Sequence, residues 1–152
     1  MSLRERFAAA GHPLPEPATP VGAYVPAVRT GQLVFTSGQI PFRDGAVVAT
    51  GVVGDSVSDE LARECAVQCL LNAMAAASSV CDLDDLVRVV KVTGYVASAP
   101  GFTAQPRIVD AASELLVGVL GEAGRHAREA VGVAGLPLGV PVEISLVLEV
   151  AR

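Results

Sequence analysis

The sequence predicts an α+β domain, a mixed sheet with two helices packed on one of its faces. Three observations point there. Strand-like segments lie toward both ends of the chain, strictly alternating in the last of them, two stretches carry apolar residues three and four apart, and a strongly apolar run separates those stretches. The resulting order of strands, helix, strand, helix and strands places helices on one side of a sheet.

Taken in order, Ser2 to Ala10 reads as a short helix ended by Gly11 and Pro13. Pro13, Pro15, Pro17 and Pro20 then forbid regular structure, so residues 1–20 read as a helix and proline-rich lead-in, an arm ahead of a single domain at 21–152. Tyr24–Thr30 and Leu33–Ser37 flank Gly31-Gln32 as a hairpin. Arg43-Asp44-Gly45 is a turn, and Ala46–Val53 reads as a third, weaker strand.

Ser56–Val80 is the clearest helix. Ser56 or Ser58 suits its N-cap, and Asp59 and Glu60 sit in the first turn, where the helix dipole favours them. Ala62, Ala66, Cys69, Leu70, Ala73 and Ala77 form its apolar stripe, small enough to let the helix approach a sheet closely. Leu86–Val96 is apolar on both parities: Leu86, Val90, Val92 and Val96 against Val87, Val89 and Tyr95. It reads as a central strand covered on both faces. Ile108–Leu120 is the second helix, with Ile108, Ala112, Leu115, Leu116 and Val119 on one face and Gly121 and Gly124 after it. Arg128–Ala134 is a short strand, and Leu136-Pro137-Leu138-Gly139 a loop. In the last strand Val142, Ile144, Leu146, Leu148 and Val150 alternate with Glu143, Ser145, Val147 and Glu149, leaving one buried face. Two substantial helices cannot cover both faces of the doubly apolar strand, and another copy of the chain is the simplest cover for the second.

Composition narrows the function. A net charge of −5 repels a phosphate backbone, and a chain with no Trp and two Tyr offers little surface for stacking bases, so nucleic acid is a poor partner. The N-terminus lacks an apolar signal region, and no stretch approaches the ~20 apolar residues a membrane span needs. A soluble, cytoplasmic protein is expected, with no membrane partner. Three cysteines, an odd number without secretory features, argue against a disulfide framework. Cys65 and Cys69 are spaced i, i+4 but have no second pair or nearby His, so they and Cys81 read as small buried hydrophobes and no metal site is expected. Gly45, Gly51 and Gly54 lack phosphate-loop spacing. Ser37 has no Asp and His at triad spacing, which leaves it a sheet-end hydroxyl capping backbone groups.

The candidate chemistry is an arginine and a carboxylate, Arg128 and Glu143. Glu143 points away from the apolar face of its strand, and if the two runs pair as neighbours the two side chains approach one site. Spacing alone favours an ordinary salt bridge or solvated strand-end charges. His126, two residues before Arg128, faces the same way on an extended strand; proton transfer there stands beside a merely structural or solvated role. His12, in the proline-rich segment, has no assigned role.

Two blocks of sequence shift these odds. Ala127-Arg128-Glu129-Ala130-Val131-Gly132-Val133-Ala134, followed by Leu136-Pro137, Val140 and Val142-Glu143-Ile144, resembles the C-terminal signature of the Rid (YjgF-like) family of enamine/imine deaminases. Val21-Gly22-Ala23-Tyr24-Val25-Pro26-Ala27-Val28, leading to Val34-Phe35-Thr36-Ser37-Gly38-Gln39-Ile40-Pro41, is similar to the family's N-terminal signature. The two blocks occur in the family's order, and the resemblance covers residues 20–152. It implies a chorismate-mutase-like fold, a homotrimer, and active sites at subunit interfaces.

By this resemblance Arg128 and Glu143 are catalytic, Tyr24 and Ser37 match pocket residues, and Gly38 lets substrate approach the backbone. Asp110 aligns with a family asparagine; a carboxylate there would repel an anionic substrate or pair with Arg128. Glu129 and Ala130 also depart from the pattern, Glu129 pointing to the face opposite Arg128. The implied activity is hydrolysis of 2-imino or 2-enamino acids to 2-keto acids and ammonia. Arg128 would hold the substrate carboxylate through a two-point fork, and Glu143 would orient and deprotonate water. No cofactor is needed, because an iminium carbon is already electrophilic. The rival is a non-catalytic trimer that binds small carboxylate metabolites or a protein partner. A pericyclic or isomerase activity rests on fold analogy alone. The ribonuclease activity described for some relatives lacks a basic stripe or catalytic His pair here.

Overall fold

In the computed structural model, which describes residues 1–152, the chain runs α1 (Leu3–Ala9), β1 (Ala27–Thr30), β2 (Leu33–Thr36), β3 (Phe42–Arg43), β4 (Ala46–Val47), α2 (Asp59–Ala77), β5 (Leu86–Ala97), α3 (Gln105–Leu120), β6 (Ala127–Val133) and β7 (Val142–Val150). Five strands form one sheet in the order β1-β2-β7-β5-β6; only the β5–β6 pairing is parallel. Both long helices cover the same face, which gives the α+β architecture expected from the pattern.

α2 begins where its cap allows. Ser58 Oγ accepts from Leu61 N at 3.2 Å, whereas Ser56 Oγ holds Val52 N at 3.1 Å in the preceding turn, so Ser58 is the N-cap. All six residues of the expected stripe, Ala62 to Ala77, are buried. Cys65 and Cys69 lie in this core as well, with Cys69 Sγ bonded to Val142 O at 3.4 Å; burial pushes the Cys65 thiol up to about 11 and the Cys69 thiol well above its usual range. α3 starts a turn earlier than expected. Pro106 falls in its first turn, where a missing N–H breaks no helical bond. Gly94 of β5 lets α3 come close, since a Cβ there would lie 2.5 Å from Val109 Cγ2.

Three expectations are corrected. Of Ala46–Val53, only Ala46–Val47 forms a strand, in a ribbon with Phe42–Arg43 across a turn in which Asp44 and Gly45 both have positive φ. α1 is more than a surface lead-in. Ser2 and Glu5 close a capping box, Leu3 N donates to Asp84 Oδ1 at 2.6 Å, Arg6 reaches Val119 O, and Leu3 and Phe7 are buried in the core.

The third correction concerns β5. Its register against β7 shifts between Leu86 and Arg88 and again between Val89 and Lys91, leaving Val87 and Val90 as extra residues in two bulges. Each bulge reverses the parity of the residues after it. Leu86, Val89, Val92, Gly94 and Val96 therefore share the helix side, opposite Val150, Leu148, Leu146, Ile144 and Val142. Arg88, Lys91, Thr93 and Tyr95 fall on the other side. The apolar residues on both parities thus reflect bulges rather than two apolar faces. The apolar character of the uncovered face comes from neighbouring strands instead, with Val28, Phe35 and Val131 exposed there.

Candidate active site

Glu143 stands on β7 directly opposite Tyr95, on the uncovered face of the sheet. Its side chain lies across Gly38, where a Cβ would sit 2.5 Å from Oε2, so only glycine leaves room for the carboxylate in this position. Just before Gly38, Ser37 ties the strand to the incoming loop: its Oγ–H donates to Val25 O at 2.6 Å and its N–H to Pro26 O at 2.8 Å. The same loop carries Tyr24, exposed, with its ring against Gly22. Glu143, Gly38 and Ser37 thus adjoin one another, and Ser37 anchors the loop in which Tyr24 lies. No Arg, Lys or backbone N–H of the chain binds the Glu143 carboxylate, and partial burial raises its pKa.

Arg128 stands elsewhere. In the parallel ladder it pairs with Val92, whose side chain is buried under the helices, so Arg128 faces α3. There its Nη1 donates to Asp110 Oδ1 at 2.6 Å and to Ser113 Oγ at 3.2 Å. Of the two roles open to Asp110, pairing with Arg128 is the one observed. Ser113 also meets His126 Nε2 at 2.9 Å, while His126 Nδ1 lies 2.6 Å from Gly124 O. A carbonyl only accepts, so Nδ1 carries a proton, and in the neutral ring Nε2 accepts from the serine hydroxyl. His126 and Arg128 do face the same way. Glu129 takes the opposite face and pairs with Lys91 at 3.0 Å.

The condition that β6 and β7 pair is not met. β5 lies between them, and the registers put Arg128 and Glu143 on opposite faces of the sheet. Within one chain the candidate residues therefore fall into two separate groups: Arg128 with Asp110, and Glu143 with Gly38 and the adjoining Ser37, which is tied to the loop that carries Tyr24. Two clefts of ≈ 470 and ≈ 430 Å³ lie beside α1, lined in part by Arg4, Cys81, Asp82 and Asp84, and neither includes one of these candidate residues. Sequence reasoning missed Ser113. Its signal was its position three residues after Asp110 on a helix, which puts both on one face.

The chain belongs to the endoribonuclease L-PSP family, the YjgF/Rid superfamily, whose model it matches over residues 15–150. It is 42% identical over 144 residues to Protein TCP17 of Trypanosoma cruzi, covering 91% of this chain and 88% of that protein. Among solved structures it is similar to Atu1372 of Agrobacterium tumefaciens, of unknown function, at 38% identity, TM-score 0.89, and 99% and 94% coverage of the two chains. A Shewanella oneidensis protein described as an endoribonuclease superposes at TM-score 0.93 with 29% identity, over 99% of this chain and all of that one (100%). Escherichia coli TdcF, solved with bound serine, shares 26% identity at TM-score 0.62, over 90% and 94%. No helix of the chain is long and apolar enough to cross a membrane.

Proposed function

We propose that the protein hydrolyses 2-imino and 2-enamino acids to 2-keto acids and ammonia, in sites formed where the Arg128 half of one copy meets the Glu143 half of the next in a homotrimer. The observation that carries this reading is the pair of unfinished half-sites on opposite faces of the sheet. Glu143 is a carboxylate without an ionic partner, partly shielded from water, and Arg128 keeps its Nε and Nη2 donors free of bonds within the chain. Each half offers what the other lacks. The uncovered face, with Val28, Phe35 and Val131 exposed, supplies apolar surface for the assembly.

In the composite site the free edge of Arg128 grips the substrate carboxylate with two parallel N–H···O bonds. Glu143 takes a proton from water as the water oxygen bonds to the C=N carbon, and the π electrons move onto nitrogen. The C–N bond of the resulting carbinolamine then breaks as its hydroxyl loses a proton and the nitrogen, protonated, leaves as ammonia. A raised pKa suits the step, because a carboxylate that holds its proton more tightly is a stronger base. TdcF, which binds the small carboxylate serine, is consistent with a ligand of this size.

The test uses 2-iminopropionate generated in situ, with its loss followed against the uncatalysed rate and keto-acid affinity measured in parallel. Glu143→Gln keeps shape but removes the base, so turnover should fall roughly 10²–10⁴-fold while affinity stays similar. Wild-type protein that hydrolyses no imine above background, yet binds keto acids, would instead establish the second reading, a non-catalytic carboxylate binder. That reading draws on the Arg128–Asp110 pair, which already neutralises the anchor. The ribonuclease activity in the family's name fits poorly with a net charge of −5 and an arginine already paired to a carboxylate.

A further inference from the structure

We infer that Asp110 makes the Arg128 half-site selective for zwitterions: it accepts a 2-imino or 2-amino acid with a protonated nitrogen and disfavours the corresponding 2-keto acid. The inference rests on Arg128 being the carboxylate anchor, as proposed above, and concerns what stands beside it.

Asp110 Oδ1 and Ser113 Oγ, one helical turn apart on α3, both bind the same guanidinium nitrogen, Nη1, at 2.6 and 3.2 Å. Bonding is therefore concentrated on one corner of Arg128, and the Nε and Nη2 edge is left to a ligand. The Arg128 side chain is 22% exposed and that of Asp110 45%, so the carboxylate is the more accessible member of the pair. Asp110 Oδ2 carries no bond within the chain. A ligand that reaches Arg128 thus meets a free acceptor oxygen beside the donors.

Charge and hydrogen bonding then favour the same ligand. A plain carboxylate gains from Arg128 and loses to Asp110, since the pair is close to neutral as a whole. A 2-iminium or 2-ammonium acid carries its N–H donors one carbon from its carboxylate and can satisfy both partners. In the keto acid a carbonyl oxygen replaces that nitrogen, so two acceptors oppose each other. The site would hold the substrate in its protonated, electrophilic form and release the product. Asp110 is thereby a specificity residue. If the Asp110–Arg128 pair served only to pin α3 to β6, replacing Asp110 would alter stability and leave ligand preference alone.

Alanine and pyruvate are matched probes, stable and equal in carbon skeleton. Calorimetric titration of the full chain should show alanine binding at least about tenfold more tightly than pyruvate, the scale of one charge-assisted hydrogen bond. Asp110→Asn should weaken alanine and strengthen pyruvate until the preference is lost, while Asp110→Glu, which restores the charge, should keep it in the same direction. Thermal melts of both variants check that they fold. Equal wild-type affinities, no binding of either probe at millimolar concentration, or an unchanged ratio in Asp110→Asn would overturn the inference. Arg128→Ala separates it from the reading beneath it. Loss of both ligands in Arg128→Ala with an unchanged ratio in Asp110→Asn removes the role of Asp110 alone; retention of both ligands in Arg128→Ala removes the anchor and the inference together. Neither result depends on imine turnover.

Discussion

Gly38→Ala is a direct structural probe of the proposed base. A methyl group at this position would lie 2.5 Å from Glu143 Oε2, 2.9 Å from Cδ and 3.3 Å from Cγ. An ordinary carbon contact of about 3.5 Å requires the carboxylate to retreat by about 1 Å. The obstacle is the far end of a flexible side chain, and Gly38 is not among the positive-φ positions, so the backbone tolerates alanine and the fold should be unharmed. Misplacement of a catalytic group by 1 Å costs on the order of 10²-fold in rate, about 2.7 kcal/mol of barrier. The variant should therefore hydrolyse 2-iminopropionate about a hundredfold more slowly, with keto-acid affinity and melting temperature close to wild type. Wild-type turnover in a variant whose carboxylate is seen crystallographically to have moved would refute Glu143 as the base. A matching loss of affinity would instead place Gly38 in ligand binding.

Glu143→Gln carries a second consequence, for stability. Burial raises the pKa of Glu143 in the folded state, so its stabilising contribution is present below the unfolded carboxylate's pKa and is lost as pH rises through the folded value. Urea denaturation should thus find Glu143→Gln more stable than wild type at neutral pH, with the gap closing on acidification; a gap independent of pH would contradict a partly buried, ionisable Glu143. Light scattering in dilute solution should report a trimer. A monodisperse, active monomer would exclude the composite site, because one chain holds its two halves on opposite faces. Phe7→Ala should lower unfolding free energy by about 3–5 kcal/mol, the usual cost of emptying a fully buried aromatic site, and a loss under 1 kcal/mol would deny α1 its place in the core.

Much of this arrangement was legible in the residues. β7 announces itself because alternation with one buried face is a local property, visible in Val142 to Val150 whatever lies beyond the strand. The stripe of α2 is equally local, and so is the shared direction of His126 and Arg128, whereas the choice between Ser56 and Ser58 as cap came from the structure. Asp110 drew attention as a departure from a family pattern, with two outcomes open for it.

What the sequence determined by itself was the type of each element and which of its own side chains share a face, because both come from backbone periodicity within a segment. What only the tertiary structure decided was which segments meet. The bulges at Val87 and Val90 exist only in the register of β5 against β7, so a strand that looked apolar on both faces proved to have one apolar face. The burial of Phe7 depends on the rest of the core closing around it. Arg128 and Glu143, brought near by sequence and matched in chemistry, are kept apart by β5, since strand order is set by long-range pairing that no local pattern encodes.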